Sequence, residues 1–170
     1  MLMDDTKLYL IGTKINEKAG LDLVDEFISQ KYVAIYWEGI GDLRKYHDKN
    51  EIREKLSQVP KYKDKTIQAL DNYARSLYDF AHKIRPEIDR VAVYDPHNHI
   101  LYIGIPGDYE YLPRLEDIFR SHQRSIKTWI YNAPFDELPE PLKKLVTSPP
   151  RTIWELFERT KYRYVDLGIG

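Results

Sequence analysis

The chain has 170 residues, with 42% hydrophobic and 31% charged. That suits one domain with a real core and excludes a disordered chain. It contains no cysteine, which excludes disulfides and thiolate metal sites. The net charge of −1 excludes a uniformly basic nucleic-acid binder, so any anion-binding surface must be local.

In chain order, the opening MLMDDTKLYL is too polar and short for a secretory signal, and no run approaches a membrane span, so the cytoplasm is the expected location. Lys7–Ile15 predicts a strand. Leu21, Val24, Phe27 and Ile28 fall at helical spacing and predict a short amphipathic helix. Lys31–Trp37 is β-branched and aromatic and predicts a buried strand, ending in a turn at Gly39–Gly41. A short helix is expected around Glu51–Leu56. The longest helix is expected over Thr66–Ile84, with Leu70, Tyr73, Leu77, Ala81 and Ile84 on one face.

Arg90–Tyr94 and Ile100–Ile105 predict a hairpin across Asp95–His99. Pro106-Gly107 reads as a break, with Asp108, Tyr109, Glu110 and Tyr111 on the loop beyond it. Leu112–Arg120 is expected to hold a short helix, and Ser125–Tyr131 a strand containing a core Trp129. A helix follows over Leu142–Val146. Another starts at Thr152, with Glu155 completing a capping box and Trp154 on its apolar face. The pattern is α+β: a curved mixed sheet or a small closed barrel flanked by helices. Residues 1–165 form a single domain in this reading, with 166–170 a tail or linker.

Catalytic patterns are missing. His97 and His99 flank one residue in a hairpin turn, without a third ligand, and read as a polar turn rather than a metal site. Gly39-x-Gly41 lacks the rest of a phosphate-binding loop. Asp108 and Glu110 lack the partners of a metal-dependent nuclease, and no nucleophile elbow occurs. A non-enzymatic module with no cofactor and no metal is expected.

The remaining signal is aromatic and basic. Tyrosine stands out at 14 against 5 phenylalanines. Trp37 ends a strand at a glycine-relaxed turn. Tyr36 beside it should face the other way on extended backbone, so only one of the two should line a given pocket. Between 43 and 65 there are eight Lys or Arg against four acids, and between 112 and 132 four against two.

Trp37 with Gly39–Leu43, then DNYARSLYDF (Asp71–Phe80), RVAVYDP, ILYIGIPGDYEY and HQRSIKTW (His122–Trp129), occur in an order that resembles the EVE/YTH-type domains of the PUA-like superfamily. The version at the N-terminus of McrB-type methylation-dependent restriction GTPases is the most similar, over about Lys7 to Phe157. That resemblance implies a curved barrel and a reader of a methylated base, N6-methyladenine first and 5-methylcytosine second, flipped from duplex DNA into an aromatic cage. An RNA-binding domain of the same type is the alternative. The resemblance places the cage at Trp37 with Tyr109 and Tyr111, and Tyr36 adjoining. It puts base-edge contacts at Thr13 to Asn16; because burying a methyl group discriminates only modestly, Asp42 is expected to help select the base edge. The basic stretches supply phosphate contacts at Arg44, Lys45, Lys61, Lys63, Arg114, Arg120 and Arg124. Its implied partners are methylated double-stranded DNA, an AAA+ GTPase domain in the longer protein and a nuclease subunit.

Overall fold

The computed structural model describes residues 2–15, 20–113, 118–147, 149 and 151–170. Eight strands and four α-helices are described: β1 (Leu8–Ile11), β2 (Lys14–Ile15), β3 (Leu21–Asp22), α1 (Val24–Gln30), β4 (Tyr32–Ile35), α2 (Lys49–Gln58), α3 (Ile67–Tyr78), β5 (Arg90–Asp95), β6 (Ile100–Tyr111), β7 (His122–Pro134), α4 (Glu140–Val146) and β8 (Ile153–Glu155). Six strands make one mixed sheet in the order β4-β7-β6-β5-β1-β8, and β2 pairs with β3 apart from it. Only β1 and β5 run parallel. The sheet is open, with β4 and β8 at its edges, so the α+β mixed sheet is found as expected and the alternative of a small closed barrel is corrected.

At β1 and β5 both faces of the sheet are buried. Tyr9, Ile11, Val91 and Val93 point into a core shared with α1, α2 and α3, while Leu8, Leu10, Ala92, Leu101 and Ile103 point into a second core with α4, Leu156 and Tyr164. Two-sided burial explains why β1 and β5 read as unbroken apolar runs rather than alternating ones.

Helix starts follow local chemistry. The Asp48 carboxylate accepts from the Glu51 N–H at α2, and the Thr66 hydroxyl accepts from the Ala69 N–H at α3. Leu70, Ala74 and Leu77 bury the inner face of α3. The helix then widens into a π-helical turn, Asp79–Lys83, where the Ile84 N–H bonds back to Asp79.

Several expectations are corrected. Leu21 belongs to β3, and α1 begins only at Val24. The Gly107–Tyr111 stretch is no loop: β6 runs on to Tyr111 through register shifts around Gly104, Pro106 and Tyr109. Such bulges absorb a proline and a glycine without ending the strand. Thr152 caps no helix, because Ile153–Glu155 pairs with β1 as β8 and the Thr152 carbonyl accepts from Gly12. Trp154 and Trp129 are half-buried, not sealed in the core. The helix expected over Leu112–Arg120 falls partly outside the described residues; a single 3-10 turn covers Ile118–Arg120.

Arg124 of β7 joins the sheet to α3. Its side chain is 2% exposed. Nε donates to Phe80 O (2.7 Å), Nη2 to Ile84 O (2.8 Å) and Ala81 O (3.4 Å), and Nη1 to the Gly107 carbonyl. The helix ends here and leaves these carbonyls without helical partners, and the guanidinium supplies the missing donors. Burial pulls its pKa down to about 10, opposed by Asp108 and Asp89, so it stays charged at neutral pH. Hydrogen bonds from a charged group are worth roughly 1.5–3 kcal/mol each. Arg124→Met therefore should lower unfolding free energy by at least about 3 kcal/mol in urea titrations. A loss under about 1 kcal/mol would show that the clasp is dispensable.

Candidate functional site

A half-enclosed cavity of about 230 Å³ opens where β4 runs out, lined by aromatic and basic side chains that include Tyr36, Trp37, Tyr62, Tyr73, Lys61 and Lys65. Drug-sized ligands occupy pockets of roughly 300–1,000 Å³, so this one suits a single small ring system. Strand β4 stops at Ile35, and the two residues after it leave the sheet. Both Tyr36 and Trp37 therefore line the cavity, which corrects the expectation that strand alternation would admit only one.

The aromatic walls come from three elements. Trp37 meets Tyr73 of α3 at 5.6 Å between ring centres, with planes tilted by 53°. Tyr73 meets Tyr62 edge to face at 6.0 Å. The rings thus form a corner, not two parallel plates. Lys61 reinforces it: Nζ lies 4.7 Å from the Tyr36 ring centre, donates to the Tyr36 hydroxyl at 3.1 Å and pairs with Glu38 at 3.8 Å. The Tyr62 hydroxyl accepts from the Glu38 N–H, and burial raises its pKa to about 12.

The turn that follows needs its glycines. Gly39 and Gly41 have φ of +76° and +71°, in the left-handed region. A Cβ on Gly39 would lie 2.9 Å from Val59, so both the conformation and the space demand glycine.

Tyr109 and Tyr111, expected in the cage, do not line this cavity. Tyr109 is buried, and its hydroxyl oxygen accepts from the Leu43 N–H at 3.2 Å. The same hydroxyl meets His122 Nδ1 at 2.8 Å. The His122 ring also bonds the Trp37 main-chain carbonyl. A neutral imidazole that donates to that carbonyl leaves Nδ1 to accept from Tyr109. Tyr111 stacks on the same ring at 5.3 Å. These residues tie both ends of the Trp37–Leu43 segment to β6 and β7.

The remaining expected residues scatter. Thr13 is buried and lines a neighbouring open hollow of about 410 Å³, which shares Gly12, Lys14 and Thr152 with the cavity. The Asp42 carboxylate is held by Arg44, with Nη2 to Oδ2 at 2.7 Å; that hydrogen bond lowers its pKa against the effect of burial. Arg44 is thereby neutralised locally. Lys45 lies over Tyr46, and Lys63 is exposed beside the cavity lysines. Arg120 pairs with Glu26 at 2.6 Å. Arg124 is spent on main-chain carbonyls inside the protein, which corrects its expected place on a phosphate-binding surface. Asn16 and Arg114 lie outside the described residues. Among the described residues no cluster of His, Cys, Asp or Glu could hold a metal ion, and no helix is long and apolar enough to cross a membrane.

Sequence reading missed Lys14, Lys65, Tyr62 and Tyr73. Tyr73 sits on the apolar stripe of α3, where a tyrosine reads as core. Tyr62 sits between Lys61 and Lys63, an aromatic among cations, and that alternation was the available signal.

Burial holds the His122 pKa down at about 4, with the Trp37 carbonyl and Asp42 pulling the other way. Between about 6.5 and 4 the unfolded chain takes up a proton that the folded chain refuses, so stability falls as pH falls through that window. The full shift corresponds to roughly 3 kcal/mol. In an NMR titration the His122 ring should stay neutral down to about pH 5. His122→Gln should flatten the stability slope between about pH 6.5 and 4. A ring that titrates near its ordinary value would break the proposed link from Tyr109 to Trp37.

The family model described as "Domain of unknown function (DUF8426)" matches residues 12–156. No curated protein matches the chain, and no solved structure does. The match begins at Gly12 on the cavity wall and ends just beyond β8, taking in the whole site described above; the protein belongs to the DUF8426 family.

Proposed function

We propose that the cavity at Trp37 receives a single modified nucleobase, and that the protein is the recognition module of a modification-dependent restriction system. The observation that carries this reading is the cavity itself: a small, half-enclosed space with Trp37 open to it, walled by tyrosines and rimmed by lysines. Stacking on an aromatic side chain is worth about 1–3 kcal/mol per base and offsets the few kcal/mol needed to extrude one from a duplex. The corner formed by Trp37 and Tyr73 offers one ring face for stacking and a second ring for lateral contact. A methyl group on the base adds roughly 0.8 kcal/mol when buried there.

In this reading the protein has the EVE/YTH-type fold of the PUA-like superfamily, with β4, β7, β6, β5 and β1 forming the curved sheet. The cage is built from Trp37, Tyr36, Tyr62 and Tyr73. N6-methyladenine in double-stranded DNA is the first ligand and 5-methylcytosine the second. The module itself binds and does not cleave; a GTPase domain and a nuclease subunit act on what it finds. Discrimination of a methyl group by burial alone is modest, so main-chain groups around Gly12 and Ile35 share in reading the base edge.

Trp37→Ala should reduce affinity for a methylated duplex by about 1–3 kcal/mol, and remove the preference over the unmethylated duplex, while circular dichroism and melting stay close to wild type. Trp37→Phe should retain part of the preference. The measurement is binding to duplexes that differ in one modified base, with matched single-stranded RNA alongside. An unaltered preference in Trp37→Ala removes the indole from the site, and tighter binding to the RNA than to either duplex replaces DNA as the ligand.

A further inference from the structure

The cavity has a charged rim that its aromatic walls do not explain. Lys14 comes from β2, Lys61 from the turn after α2 and Lys65 from the approach to α3, and all three line the same opening. Among the described residues no carboxylate side chain lines it. Several cations elsewhere are matched: Arg44 pairs with Asp42, Arg53 with Asp71, Arg85 with Asp5 and Asp89, Lys127 with Glu87. Lys61 is held by Glu38 and the Tyr36 hydroxyl. Lys14 and Lys65 have no ion-pair partner among the described residues. Two ammonium groups without an acid partner among the described residues thus meet at the mouth of the aromatic cavity.

A neutral base would use the rings and leave both ammonium groups to water. A phosphate attached to that base would use both. Lysine suits this task, being a compact charge on a flexible stem that follows a phosphate without demanding one geometry. We propose that Lys14 and Lys65 hold the phosphate of the same nucleotide whose base enters the Trp37 cavity, so the unit recognised is a nucleotide and not a base alone. The proposal rests on the base-binding reading above and specifies the rest of the ligand. It also replaces the broad basic stretches of the sequence with a local anion site: Arg44 and Arg124 have partners of their own, whereas these two lysines have none among the described residues.

The test uses the 170-residue chain at low salt. N6-methyl-2′-deoxyadenosine and its 5′-monophosphate are titrated separately, followed by heteronuclear NMR, with inorganic phosphate as a third ligand. The monophosphate should bind about tenfold more tightly than the nucleoside, a difference of about 1.4 kcal/mol. Raising the salt should erase most of that difference. Lys14→Gln with Lys65→Gln should bring the monophosphate down to the affinity of the nucleoside and leave the nucleoside unaffected. Lys161→Gln, exposed and distant in sequence from the rim, should change neither. Equal binding of nucleoside and monophosphate to the wild type overturns the lysine assignment and leaves the base reading standing. Discrimination that survives in the double variant overturns it in the same way. Binding of the monophosphate and of inorganic phosphate, with none of the nucleoside, overturns the base reading and keeps an anion site. Failure of all three to bind overturns both.

Discussion

The buried guanidinium of Arg124 is the joint on which the two halves of this protein turn. A strand residue on β7 reaches the end of α3 and hydrogen-bonds four main-chain carbonyls, one of them in the neighbouring strand β6. Those carbonyls lie at the end of the helix, where no helical N–H reaches them, and without Arg124 they would lose these donors. The joint also fixes where α3 lies against the sheet, and α3 carries Tyr73, a wall of the aromatic cavity.

Around that frame the residues at the end of β4 are held from two sides. The indole of Trp37 faces the cavity and Tyr73, while its carbonyl faces His122. Six residues on, the Leu43 amide is held by the hydroxyl of Tyr109, which in turn meets the same imidazole. The aromatic residues of β6 and β7 therefore act behind the site, as supports for the segment that presents Trp37. Placing ring and carbonyl of one residue under separate control restricts the indole more than packing on one face would. The arrangement uses no net charge: the phenol and the imidazole are both neutral forms favoured by burial.

Much of the frame was legible from the sequence. The runs Lys7–Ile15, Lys31–Trp37 and Arg90–Tyr94 all contain strands, and Thr66 caps the longest helix. The misreadings share a cause, which is pairing between distant segments overriding a local signal. Pro106-Gly107 carries a turn signature, yet bulges against β7 keep the strand going, and a Cβ at Gly107 would run into Ser125. Thr152 and Glu155 have the spacing of a capping box, yet β1 offers an open edge and takes Ile153–Glu155 as a strand. At the site, Trp37 was legible because glycines follow it. Tyr109 was misplaced because its neighbours looked like a loop, and a loop tyrosine reads as a binding residue where a strand tyrosine reads as support. The basic stretches were legible as charge but not as pairing: a sequence does not show that Arg44 answers Asp42 or that Arg124 faces inward.

The bond from Leu43 to Tyr109 has a practical consequence. A main-chain amide at the start of a lone 3-10 turn normally swaps its hydrogen for deuterium within moments, since nothing in such a turn protects it. Here the acceptor is a buried phenol on another strand, so that one hydrogen is released only when the Trp37 segment lifts away from β6. Leu43 is therefore a built-in clock for that lifting, readable without any ligand.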